Sequence, residues 1–351
     1  MPGTNPAEAM RVVAGELPDF PHLPELPDRG PGADLTGRTA ALLVDIPVEV
    51  TPRGWRVAER PGRDLARARS MLSADLDVLE EVLDGFRGPV KIQLCGPWTL
   101  AATLELPHTM NVAVADPGAV ADLTASLAEG AAAHVADVAK RLPGARLVVQ
   151  FDEPALPAVA QGMVPTASGL SRLAAVEAET LRERLEQVLA ATHGYTIVHC
   201  CAPSVPFGII RAAAAGGVAF DLSQLRRADE DGVAESAEAG MGLLTGAVPA
   251  VPDQAAGGVG SSGASGSGKQ ATGAGGSGGQ PGGARQTAER VIRMWRRLGL
   301  PPATCAEQAV ITPACGLAGV SPAQARAALT RCHQAASMLP ELIEETGGEV
   351  G

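Results

Sequence analysis

Short apolar runs ending in a polar or turn residue recur along the chain, each followed by an Ala-, Leu-, Arg- and Glu-rich stretch of helical period. That alternation constrains the fold more than any other feature, because parallel strands need long crossover connections while antiparallel ones join through short turns. Seven runs are β-like: "AALLVDIP" (40–47), "VKIQLCGP" (90–97), "RLVVQFDEP" (146–154), "YTIVHC" (195–200), "GVAFDLS" (217–223), "GLLTGAV" (242–248) and "QAVITPACG" (308–316). Helical segments of good amphipathic period separate them, for example 122–142 and 175–192. The expected architecture is an α/β (β/α)8 barrel of TIM type forming a single domain over 1–351.

Seven strands are one short of such a barrel. The opening "MPGTNPAEAMRVVAGEL" reads as the loop and helix that follow a strand. The first strand is therefore expected either to precede Met1, leaving the barrel truncated, or to come from within 17–39. Residues 255–284 are low-complexity Gly and Ser with almost no apolar mass, and are expected to form a flexible insertion within one loop.

A net charge of −11 leaves no basic face for a phosphate backbone, and no apolar stretch approaches the roughly 20 residues of a membrane span. Neither nucleic acid nor membrane is an expected partner. With no signal-peptide pattern and six dispersed cysteines, the expected location is the cytoplasm, where thiols stay reduced. Cys95, Cys305 and Cys332 read as small buried hydrophobes.

The other cysteines lie at strand ends, which in a barrel of this type carry the active site. In "YTIVHCCAP" the alternation of a strand turns His199 and Cys201 to one side and Cys200 to the other. The next run ends in "AFDLS" with Asp221, and the last ends in "ITPACGL" with Cys315. Two thiols, an imidazole and a carboxylate from separate strand ends form a soft donor set suited to a catalytic Zn²⁺. Asp152 and Glu153 end an otherwise apolar strand, where carboxylates are costly unless paired or used; Asp152 could cap a helix or grip a substrate ammonium group. Trp98 in "CGPWTL" could form a pocket wall or simply pack.

In their order and strand-end placement, "CGPWTL", "QFDEPAL", "VHCCAP", "AFDLS" and "TPACGL" resemble the C-terminal catalytic barrel of cobalamin-independent methionine synthase, in the superfamily of uroporphyrinogen decarboxylase. The resemblance implies zinc bound by His199, Cys201 and Cys315, with Asp221 in place of the family's glutamate ligand. It implies that Asp152 holds the amino group of homocysteine. The implied reaction moves a methyl group from a methylated folate, or another donor, to the homocysteine thiol, giving methionine. The chain departs from the family at the proton-donating histidine after the seventh strand, where Ala247 stands in "LLTGAVPA", and at a folate-contacting glutamate, with Ala158 near that place. Two alternatives stay open: a decarboxylase of the same superfamily, and a degenerate, non-catalytic zinc-binding relative.

Overall fold

A computed structural model of the chain describes residues 1–250 and 281–347. In chain order its helices and strands are α1 (Pro6–Glu16), α2 (Leu35–Ala40), β1 (Val48–Thr51), β2 (Gly54–Val57), α3 (Arg63–Val82), β3 (Pro89–Cys95), α4 (Pro97–Thr103), α5 (Pro117–Arg141), β4 (Arg146–Asp152), α6 (Leu156–Ala160), α7 (Ala178–Ala191), β5 (Tyr195–Cys200), α8 (Phe207–Ala212), β6 (Gly217–Asp221), α9 (Glu230–Glu238), β7 (Gly242–Val248), α10 (Pro281–Arg297), α11 (Pro302–Gln308), β8 (Ala309–Pro313) and α12 (Pro322–Gly347). Strands β3 to β8 form one parallel sheet in sequential order, curled as part of a TIM-type barrel.

The period-2 pattern inside each run explains the layering. Leu147, Val149 and Phe151 on β4, and Val198, Val218 and Phe220 on the next two strands, face outward into the core shared with the helices. Val148, Ile197, Ala219 and Leu244 face inward and form a separate apolar layer with Phe20 and Val310. One step further along the same inward face stand Gln93 on β3, Gln150 on β4 and His199 on β5, so the interior turns polar toward the strand ends. Outside, α1 packs on α3 and α12, α5 on α4 and α7, and α10 on α11 and α12. The contact of α1 with α12 is fixed by Thr330, whose hydroxyl donates to Glu16 at 2.6 Å.

Six of the seven expected strands are present; the run at 40–47 is not one. Asp34 caps α2, its carboxylate accepting from Gly37 N at 2.9 Å, and the run supplies the end of that helix and the turns after it, with Asp45 at φ 58°. A continuous apolar run without alternation suits a buried helix end as well as a strand, and here the cap decides. What pairs with β3 instead is the segment around His22: Leu23 N donates to Lys91 O at 2.9 Å and Lys91 N to Pro21 O at 3.0 Å. Part of the stretch 17–39 therefore lies along the sheet edge. The antiparallel hairpin β1–β2 is an element the seven runs do not include.

Of the Gly- and Ser-rich stretch 255–284, residues 255–280 lie outside the described residues, and 281–284 open α10. Cys95, Cys305 and Cys332 are buried as expected. Among the described residues no helix is long and apolar enough to cross a membrane.

Candidate active site

The ends of β3, β4 and β5 are tied together before any ligand is considered. Gly96 N donates to Asp152 O at 2.8 Å and Glu153 N to His199 O at 2.7 Å, extending the ladder one residue past each strand. Glu153 then turns outward under α4. Its carboxylate accepts from Trp98 N at 2.8 Å, Thr99 N at 2.7 Å and the Thr99 hydroxyl at 2.7 Å. Helix α4 has no cap of its own, so Glu153 takes over its first amide groups, and the helix's positive end favours the carboxylate. Gly96 is required by this packing: a Cβ there would lie 2.4 Å from Glu153 Oε1. Burial outweighs these bonds, and the Glu153 carboxyl is pushed up to about 7. Trp98 packs, 1% exposed, and donates its indole N–H to Leu181 O at 3.0 Å.

Asp152 faces the other way, into the barrel. It is the register partner of His199 on β5, and its Oδ1 lies 2.6 Å from His199 Nδ1. Gln150, two residues earlier on the same face, donates Nε2 to that Oδ1 at 2.7 Å. Asp152 is thus neither a helix cap nor a lone buried carboxylate. Deeper in the interior lie groups the strand-end reading passes over. Lys91 and Glu25 stand half-buried near Asp152; loss of water around them lowers the lysine's pKa and raises the glutamate's, in both cases against the opposite charges nearby. The lysine's signal in the sequence is the polar residue at every second position of "VKIQ" and "VQFD", which marks an inward face too polar to be plain core.

Just past β5 and β8, Cys201 and Cys315 converge, with their sulfurs 3.6 Å apart. The hydrogen bond between the sulfurs and their mutual repulsion drive the pair apart: the Cys315 thiol falls to about 6 against its own burial, helped by Gly316 N–H and His199, while the Cys201 thiol is pushed up. Cys200 points into the core as alternation requires, and burial pushes it up to about 12. Asp221 follows Phe220, the partner of Cys200, so it stands level with Cys201 on the neighbouring strand. Its Oδ1 accepts from Ser223 N at 2.8 Å and the Ser223 hydroxyl at 2.7 Å, an Asx turn that holds the carboxylate in its own loop. The structure therefore joins Cys201 with Cys315 and His199 with Asp152, and leaves Asp221 beside them. Ala247 is buried in the helix-side core and offers no proton.

The donor set can be tested against a zinc ion. Two sulfurs about 2.3 Å from one tetrahedral ion lie about 3.8 Å apart, close to the separation of Cys201 and Cys315. His199 has Nδ1 engaged and Nε2 left for a metal, the arrangement of carboxylate–histidine–zinc sites. Among the described residues no three His, Cys, Asp or Glu side chains stand close enough to hold an ion; the sulfur pair is the part of the donor set already brought together. Donor chemistry and sulfur spacing fit zinc.

Fold and mouth together define a parallel barrel whose strand ends gather a thiol pair and a carboxylate-bound imidazole. The chain belongs to the cobalamin-independent synthase family: the model of that family's catalytic domain matches residues 2–261. Among solved structures, a B12-independent methionine synthase from Shewanella sp. W3-18-1, in complex with selenomethionine, is similar over 97% of this chain and 89% of its own, with a TM-score of 0.55 and 13% identity. At that identity the likeness bears on fold alone. Among curated protein sequences none matches.

Proposed function

We propose that this protein is a zinc-dependent methyltransferase that converts homocysteine to methionine. The observation that carries this reading is the convergence of Cys201 and Cys315, residues 114 positions apart, to 3.6 Å at the mouth of a barrel of this family. His199, Cys201 and Cys315 would hold the metal, with Asp221 as fourth ligand once released from Ser223. Zinc, when bound, lowers the pKa of a substrate thiol that joins it, so that thiolate is available at neutral pH.

The chain's own residues supply the rest. Asp152 offers a carboxylate on the barrel's inward face for the substrate's ammonium group, largely shielded from competing water. The barrel mouth orients thiolate and methyl donor for in-line displacement. A methyl group on a tertiary amine, as in a methylated folate, leaves well only when that nitrogen is protonated. Because "LLTGAVPA" has no histidine, a folate donor needs its acid from elsewhere, while a methyl-corrinoid or a sulfonium needs none. Six free thiols support work in a reducing compartment, the cytoplasm.

The test is metal analysis of purified protein followed by homocysteine methylation assays with methylated folate, methyl-corrinoid and sulfonium donors. One zinc per chain and methionine from at least one donor are expected. Protein that carries zinc yet makes no methionine from any donor would refute the catalytic reading.

A further inference from the structure

Asp152 and His199 are direct partners across β4 and β5, and both side chains turn into the barrel. Their 2.6 Å contact joins Asp152 Oδ1 to Nδ1, so Nδ1 directs its proton at the carboxylate and Nε2 is the ring nitrogen outside this bond. The carboxylate is itself held. Gln150 donates to the same Oδ1 at 2.7 Å, and the backbone on either side is fixed by the bonds Gly96 N to Asp152 O and Glu153 N to His199 O. With Asp152 only 7% exposed, water competes weakly for this bond.

We infer that Asp152 is a positioning residue for metal binding: through Oδ1 it sets the tautomer of His199 and fixes Nε2 as the ligating nitrogen. This role rests on the zinc reading of the site and adds to it, because Asp152 then serves the metal through one oxygen and leaves Oδ2 for the substrate. A carboxylate behind a ligating histidine also raises the ring's basicity, and losing such a partner costs about 10- to 100-fold in metal affinity. Gln150 acts one step further back, by holding the carboxylate in place.

Two measurements test the inference. In the metal-free, unsubstituted protein, ¹⁵N-detected imidazole spectra, with the His199 signals assigned through His199→Gln, should show the Nδ1–H tautomer. In competition with a chromophoric chelator and no substrate, Asp152→Ala should bind Zn²⁺ about 10- to 100-fold more weakly than wild type. Asp152→Asn keeps an acceptor and loses the charge, so it should fall between the two; being nearly isosteric, it also covers the case in which the alanine variant does not fold. An Nε2–H tautomer in the folded protein, or Zn²⁺ affinity unchanged within twofold in the folded variants, overturns the inference and leaves the zinc reading standing. Wild-type protein that binds no Zn²⁺ overturns both.

Discussion

At the scale of single residues, the two neighbouring carboxylates Asp152 and Glu153 have opposite duties because a strand turns successive side chains to opposite faces. Asp152 looks into the barrel and Glu153 looks out under α4, where it meets three donors. Removing it with Glu153→Ala leaves those donors buried without partners, at about 1–3 kcal/mol each before relaxation, so unfolding in urea should show a loss of at least about 2 kcal/mol. Gly96→Ala should act through the same contact by displacing the carboxylate. The pH dependence follows from the raised pKa. Between the unfolded value near 4.5 and the folded value of about 7, the native state holds a proton that the unfolded state has released, so this residue's contribution to stability falls as pH rises through that window and is level above it. Glu153→Gln cannot titrate. Its stability difference from wild type should therefore shift across that window and stay constant above it; a constant difference throughout would contradict the account. Asp152, His199, Cys201 and Cys315 could be picked out from the sequence because strand ends and side-chain alternation are local facts. Gln150, Lys91 and the cap supplied by Glu153 could not be placed as readily, since their meaning depends on which strand or helix lies alongside.

Among the elements, six strands could be read from their alternation, and the segment 40–47 could not. Its apolar residues carry no period, and the capping carboxylate of Asp34 was the signal that mattered. The helix so formed brings Arg38 into a buried cluster that no local pattern announces. Asp75 on α3, 2% exposed, binds Arg29 through two bonds of 2.7 Å and Arg38 through one of 2.6 Å. Taking away this carboxylate leaves half-buried Arg29 without it and buried Arg38 with only Glu25, 3.4 Å away, so Asp75→Asn should destabilise the protein by about 3 kcal/mol in chemical denaturation. A loss below about 1 kcal/mol would mean that water reaches the arginines. Helix α5 makes a different demand. A Cβ on Gly130 would lie 2.1 Å from Leu42 O, so Gly130→Ala should push the 41–44 turns off the helix and cost about 1–3 kcal/mol, visible as a lower urea midpoint.

In the whole molecule, the ladder carries the site while the helical ring holds the ladder. An apolar layer of Val148, Ile197, Ala219 and Leu244 fills the interior on one side, and polar groups occupy the side where the strands end. Thiols just past β5 and β8 can meet only because the sheet curls, which explains why residues so distant in sequence share one place. In the proposed metal centre, Cys201 and Cys315 grip one zinc ion with His199. X-ray absorption at the zinc edge of the purified protein tests it most directly. The expected spectrum has two sulfur neighbours at about 2.3 Å and nitrogen or oxygen at about 2.0–2.1 Å, with the sulfur shell falling to one neighbour in Cys315→Ser. A first shell of nitrogen and oxygen alone, or one that Cys315→Ser leaves unchanged, would contradict it.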